Sequence, residues 1–194
     1  RNVGIYNVVW AGTAALAYFT GGVLLEKLGR QSLFFLPLAF QVVQLGATFW
    51  LHQQSARCQS SAVLPVKIAA AAPPARAKTF LRMAWLTNPF AYIAINTLVA
   101  AMPGVAHNLK LTTAQAGFFC SLWCFARLAA FCGLWFWAGW HYRFRWLLTS
   151  YLVLIVTFVV ILVVPNLAVV VVAQLALGGA LGLIYYSSLF YSMD

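Results

Sequence analysis

The sequence predicts an all-α fold, a polytopic transmembrane helix bundle of six spans, from three observations. Long apolar stretches alternate with short polar connections, and each is about as long as a helix that crosses a hydrocarbon core roughly 30 Å thick. Hydrophobic residues make up 64% of the chain and charged residues only 7%, whereas about a quarter of the residues of a soluble domain are charged. The apolar runs also lack the alternating polarity that the strands of a membrane barrel show.

We expect the spans at roughly 4–25, 32–52, 83–103, 113–138, 146–164 and 167–191. Gly29 can close the first span, and Pro103-Gly104 is expected to end the third. Thr112 can cap the fourth, because Gln115 lies close to a capping-box position. Pro165-Asn166 separates the last two spans so briefly that they should be antiparallel neighbours.

The net charge of +10 indicates membrane topology and not nucleic-acid binding, because the basic residues cluster in the connections. One side of the membrane would carry eight of them: Arg1, Arg57, Lys67, Arg76, Lys78, Arg82, Arg143 and Arg145. The other side would carry three: Lys27, Arg30 and Lys110. This bias predicts that the long second connection is cytoplasmic and that the chain contacts anionic lipid headgroups of the bilayer. An aromatic belt is expected at one boundary, from Trp137, Trp140, Tyr142 and Trp146.

The connection at 53–82 divides the predicted spans into two groups. It is rich in Pro, Ala, Ser and basic residues, a composition typical of a solvated linker. We therefore expect residues 1–52 to end one bundle, 53–82 to form a central cytoplasmic linker and 83–194 to begin a second bundle. Because both ends of the chain lie beside a span, we also expect a fragment that packs against missing helices of the same polypeptide.

Arg127 lies near the middle of the fourth span. A central arginine costs about 2.5–3.5 kcal/mol on insertion scales. Small residues share its side of the helix, among them Gly117 and Cys124, so we expect it to face the bundle interior or water. A role in a transport path, an interhelical tie and a snorkelling arginine all remain open.

Further polar residues recur at helical spacing on three spans and predict a polar interior. Gln41, Gln44 and Thr48 form one stripe, and Asn88, Tyr92 and Asn96 form a second beside Pro89, which is expected to break its helix. The third stripe includes Gln174, Tyr185 and Ser188, next to a Gly178-x-x-x-Gly182 seam that predicts helix packing or a pliable helix. The candidate substrate path comprises Arg127, Asn88, Tyr92, Asn96, Gln174, Tyr185, Gln41 and Gln44.

Enzyme-like constellations are weak in this chain. Cys120 and Cys124 share a helix face without a histidine or an acid, so they are interpreted as packing residues, and we expect no metal, cofactor or catalytic residue. A membrane-embedded transferase is the alternative function, and it would need a cluster such as His141 with Arg143 and Arg145 to bind phosphate.

The first connection carries a family resemblance. The segment Gly22-Val-Leu-Leu-Glu26-Lys27-Leu-Gly29-Arg30 fits the pattern G-x-x-x-[DE]-[RK]-x-G-[RK] and resembles the loop signature of the major facilitator superfamily (MFS). In such a signature the glycine lets helix ends pack closely, and the acid and the bases form a charge latch. Small residues upstream, from Thr13 to Gly22, resemble a weakened fifth-helix signature of that family. The segments from Gly139 to Arg145 and from Gly182 to Asp194 resemble its second-half loop copy and its tenth helix.

The resemblance implies a partial MFS fold covering helices five to ten of twelve. In the family the strict signature follows the second helix, which would make the first two spans helices two and three. The long basic linker favours the assignment to helices five to ten. The implied function is a secondary transporter that moves a small solute across a bacterial inner (plasma) membrane as a multi-pass protein. Transport would proceed by alternating access about a site near the midplane.

Overall fold

The structure, a computed structural model, describes residues 2–58, 77–137 and 139–193, and the side chains of 4–54, 78–137 and 139–192. These residues are all-α, without a strand in the described ranges. The helices are α1 (Asn2–Leu28), α2 (Ser32–Cys58), α3 (Ala77–Asn108), α4 (Thr113–Cys120), α5 (Leu122–Phe136), α6 (Phe144–Val163) and α7 (Leu167–Met193). Because α4 and α5 together make one span, the described residues contain six helical stretches long and apolar enough to cross a membrane, which confirms the predicted fold class.

The chain divides into two compact units. The larger unit contains α1 as far as Val23 together with α3 to α7, and the smaller contains residue 24 onward through α2. Both α2 and α3 extend into the predicted linker 53–82, since α2 continues to Cys58 and α3 starts at Ala77. The rest of that linker lies outside the described residues.

Local signals place the helix ends as predicted at three positions. Gly29 has φ of +71°, a backbone conformation that glycine adopts without strain after a helix. The Gln115 backbone N–H donates to Thr112 Oγ1 over 3.3 Å, and the Thr112 N–H donates to Gln115 Oε1 over 3.1 Å, which confirms the capping box. The Ala168 N–H donates to Asn166 Oδ1 over 3.0 Å at the start of α7.

The prolines of α3 do not interrupt it, contrary to the sequence-based expectation. Pro89 and Pro103 both lie inside the 32-residue helix, which ends at Asn108. In a membrane bundle a proline removes one backbone hydrogen bond but packing against neighbouring helices keeps the segment helical. The predicted break at Pro89 and the predicted end at Pro103-Gly104 are therefore wrong.

The fourth span is interrupted at Ser121, which the sequence did not predict. Ser121 has φ of −93° and ψ of −6°, and both its N–H and its Oγ donate to the Phe118 carbonyl, over 3.3 Å and 2.8 Å. The Cys124 N–H in turn donates to the Ser121 carbonyl over 2.9 Å. These three-residue spacings tighten the backbone into a 3₁₀ turn.

Glycine allows α7 to pack closely on α5. A Cβ on Gly178 would lie 2.7 Å from the Ala126 Cβ, and one on Gly182 would lie 2.5 Å from the Ala130 Cβ. The packing interpretation of the seam is thus confirmed, and the order of the contacts shows that α5 and α7 run in the same direction. Antiparallel α6 also packs on α7, as the short connection at Pro165-Asn166 predicts.

The first helix runs antiparallel to the α4–α5 span. Gly4 lies beside Trp135, and Phe19 lies 5.5 Å from Phe118 between ring centroids. Helix α3 is likewise antiparallel to α7, because Phe80 contacts Tyr191 near one end of the pair. These directions agree with spans that cross the bilayer alternately.

Candidate functional site

Arg127 points into the interior of the larger unit. Its side chain is only 3% exposed, so the snorkelling interpretation is excluded. It shares the buried face of α5 with Trp123, Cys124 and Phe131, close to the face expected from the sequence.

Two indole rings hold the Arg127 guanidinium. Its central carbon lies 4.6 Å from the Trp10 ring centroid and 5.1 Å from that of Trp123. Such cation–π contacts are worth about 2 kcal/mol when they are desolvated. Because Trp10 belongs to α1 and Trp123 to α5, the guanidinium joins these two helices.

No carboxylate of the larger unit balances this charge within the part of the chain that the structure describes. The two acids of the sequence are Glu26 and Asp194; Glu26 belongs to the smaller unit, and Asp194 lies outside the described residues. Arg127 Nε is buried and has no hydrogen-bond partner in the described ranges. Among the described groups, aromatic faces therefore supply the stabilisation of the guanidinium.

A cavity of about 180 Å³ lies next to this arginine, between α1, α3 and α7. It contains three residues of the candidate path, Asn88, Tyr92 and Tyr185. Its full lining is Tyr6, Trp10, Asn88, Tyr92, Tyr185, Ser188 and Leu189. The sequence therefore predicted the α3 and α7 walls of this cavity, but not the α1 wall.

Trp10 connects Arg127 to the cavity. Its ring stacks on the guanidinium and also meets Tyr185 edge to face at 6.1 Å. Tyr185 in turn meets Tyr92 at 5.2 Å with perpendicular rings. An aromatic chain thus runs from the buried cation into the cavity, with Trp10 as its shared wall.

Several polar atoms around this region have no hydrogen-bond partner among the described residues. They include the Tyr185 hydroxyl, Asn88 Oδ1 and both amide atoms of Asn7. A buried polar group left unsatisfied costs about 1–3 kcal/mol. Tyr185 is only 5% exposed, whereas Asn88, the other lining residue with an unpartnered atom, is half-buried.

The other predicted path residues do not line this cavity. Asn96 is exposed, and its Nδ2 donates to the Tyr92 carbonyl of its own helix over 2.8 Å. Gln174 is 0% exposed, with both amide atoms unpartnered, but it does not contact the cavity. Gln41 and Gln44 belong to the smaller unit and line an exposed groove of about 340 Å³ on α2.

Tyr6, Trp10 and Asn7 are the site residues that sequence reasoning missed. Tyr6 and Trp10 are one helical turn apart, and in an apolar span such rings look like lipid-facing aromatic residues. The available signal was Asn7, an amide inside an apolar run. Its burial in the larger unit shows that this part of α1 faces protein.

The predicted loop signature is split between the two units. Gly22 belongs to the larger unit, where a Cβ on it would lie 2.9 Å from Gly117 Cα and 2.8 Å from the Thr113 carbonyl oxygen. This contact confirms the expected close packing at the glycine. Glu26, Lys27, Gly29 and Arg30 belong to the smaller unit and are exposed, and the charge latch remains a prediction.

The basic connection between α5 and α6 is exposed at its arginines, unlike the buried Arg127. Arg143 and Arg145 are exposed and line an open groove of about 750 Å³ with Trp146. His141 stacks on Phe190 at 4.3 Å. Trp140 is only 1% exposed, so it belongs to the core and not to the predicted aromatic belt.

No protein-family model matches this sequence, and no curated protein or solved structure matches it significantly. The resemblance to the MFS therefore stays a prediction.

Proposed function

We propose that this chain is part of a secondary active transporter of the MFS type, which moves a small solute across the membrane by alternating access. The observation that carries the proposal is the cavity between α1, α3 and α7, where Tyr185 and Asn88 offer unpartnered polar atoms. A small cavity that carries a few polar groups between apolar spans is typical of solute paths.

The position of Arg127 supports a functional role. Interhelical hydrogen bonds stabilise helix association in a membrane by only about 0.6 kcal/mol on average. Helix association alone therefore explains the presence of polar groups there poorly. Placing an arginine at mid-span costs several times as much, about 2.5–3.5 kcal/mol. The contacts with Trp10 and Trp123, about 2 kcal/mol each, can offset that cost. What favours a part in the transport cycle is therefore the position of the charge, because the Trp10 ring that it contacts also lines the cavity.

The arrangement of α1 also supports the proposal. Under the MFS interpretation, α1 belongs to the first bundle, whereas α3 to α7 begin the second. The contacts of Trp10 with Arg127 and of Gly22 with Gly117 would then join the two bundles. A cavity at that junction would lie where two bundles open and close around a solute.

The test is uptake by the full-length polypeptide reconstituted in proteoliposomes, with radiolabelled sugars, amino acids and carboxylates and an imposed proton or sodium gradient. We expect gradient-driven uptake of at least one class, abolished by Arg127→Ala and retained by the control Arg143→Gln, which alters an exposed arginine. Absence of uptake would contradict the proposal. Turnover of an acyl or glycosyl donor in detergent without a gradient would favour the transferase.

A further inference from the structure

The charge around the cavity restricts the class of solute, an inference that rests on the proposed function. Arg127 brings a full positive charge to 4.6 Å from the centroid of the Trp10 ring that forms the cavity wall. Among the described residues of the larger unit no aspartate or glutamate opposes it. In a bundle of low dielectric constant this positive field is weakly screened.

A cationic solute fits these observations poorly, although aromatic rings often bind cations. The ring of Trp10 already stacks on a guanidinium, and a second cation in the cavity would be repelled by Arg127. A neutral polyhydroxylated solute would suit the hydroxyl groups, but it would leave the buried charge of Arg127 without a counter-charge.

An anion satisfies both the charge and the hydrogen-bonding groups. The side chains of Tyr185 and Ser188 carry hydroxyl groups on the cavity lining, and that of Tyr185 has no partner. A carboxylate accepts hydrogen bonds from hydroxyl groups and pairs with arginine in a two-bond geometry. The cavity volume of about 180 Å³ lies below the range of about 300–1,000 Å³ that is typical of pockets for drug-sized ligands, and so it suits a small solute.

We infer that the solute is a small carboxylate anion that binds between Tyr185, Ser188 and Arg127, with Trp10 as a movable cover over the guanidinium. In this structure the Trp10 ring both contacts the Arg127 guanidinium and lines the cavity, whereas Arg127 is not among the lining residues. The anion reaches the cation once the indole ring has moved aside. Arg127 then exchanges an aromatic partner for a carboxylate.

The experiment measures equilibrium binding of three probes of matched shape to the full chain in phosphatidylcholine nanodiscs. Benzoate is the anion, benzamide the neutral isostere and benzylammonium the cation, and isothermal titration calorimetry gives each Kd. We expect benzoate to bind about ten- to a hundredfold more tightly than benzamide, as for a hydrogen bond to a charged group. Benzylammonium should bind most weakly.

Variants separate the cavity from the exposed basic groove. Arg127→Gln should remove the preference for benzoate, whereas Arg143→Gln should keep it. Should Arg127→Gln fail to fold, as judged by size exclusion and circular dichroism, Tyr185→Phe decides instead. It removes one hydroxyl group and should weaken benzoate binding about fivefold with little change for benzylammonium.

Equal binding of benzoate and benzamide, tighter binding of benzylammonium, or no binding of any probe would overturn the inference. So would a preference that survives in Arg127→Gln and Tyr185→Phe. The outcomes also separate this inference from the proposed function. Uptake of a neutral solute without a carboxylate preference would support the transporter proposal and contradict the anion inference. Carboxylate binding without any uptake would support the anion site and contradict the transporter proposal.

Discussion

Helices α7 and α2 have the same length, 27 residues, and both carry glutamine side chains within apolar sequence. The two helices differ in how far these side chains are exposed. In α7 Gln174 is fully buried, whereas Gln41 and Gln44 of α2 are exposed. Glycine spacing distinguishes them, since Gly178 and Gly182 both meet α5 closely but Gly46 of α2 has open space around it. A polar stripe alone therefore does not show which side of a span packs; in α7 the two glycines show it.

The largest expected effect comes from filling the α5–α7 contact. Gly178→Val should destabilise the chain by about 3 kcal/mol, the upper end for overpacking, because the new side chain would meet the α5 backbone. Gly46→Val on α2 should change stability by less than about 0.5 kcal/mol. Thermal unfolding in detergent, followed by intrinsic fluorescence, measures both. Equal losses for the two variants would break the comparison.

The crossing of α1 and α4 offers a matched pair on a single helix. Gly22→Ala should cost about 2 kcal/mol, because its Cβ would lie 2.8–2.9 Å from backbone atoms of α4. Gly21→Ala, with nothing within 4 Å of its Cβ, should be neutral or stabilising by up to about 1 kcal/mol. The same unfolding assay distinguishes them, and a Gly22→Ala variant as stable as Gly21→Ala would show that the crossing is loose.

A smaller effect of opposite sign is expected at the amides. Gln174→Leu should raise stability by about 1 kcal/mol, because it removes an amide that is buried without a partner. Gln41→Leu should leave stability unchanged, since that side chain is exposed. Chemical denaturation in mixed micelles gives the two differences. A loss of stability in Gln174→Leu would mean that the amide is hydrogen-bonded in the membrane.

The helices and most of their ends could be predicted because their signals are local. Apolar runs predicted the spans, Thr112 predicted the start of α4, and the short connection at Pro165-Asn166 predicted the start of α7. The interruption at Ser121 could not be predicted, because serine also occurs inside membrane helices. The hydrogen bond from its hydroxyl to the Phe118 carbonyl depends on the backbone geometry. The predictions at Pro89 and Pro103 were wrong because proline breaks the helices of soluble proteins more often than it breaks packed membrane helices.

The candidate site was predicted in part. Arg127 and Tyr185 stand out in an apolar sequence because a charge or a hydroxyl group there needs an explanation. The role of Trp10 depends on which helices are neighbours, since its ring meets Arg127 of α5 and Tyr185 of α7. A single sequence gives the facing of a helix only through its own polar and small residues, and Trp10 is neither.

Access to the cavity from the two sides of the membrane tests the central claim most directly. In the full-length polypeptide with its cysteines replaced, including the four of this chain, Ser188→Cys places a thiol on the cavity lining. Asn96→Cys places a control thiol on an exposed part of α3. A membrane-impermeant thiol reagent is added to one side of sealed proteoliposomes at a time. Alternating access predicts that the thiol at position 188 reacts from either side while the vesicles stay sealed. The control thiol should react from neither side, because an exposed position within the span of α3 would face lipid and not water. No reaction at position 188 from either side, or reaction accompanied by leakage of the reagent, would contradict the transporter.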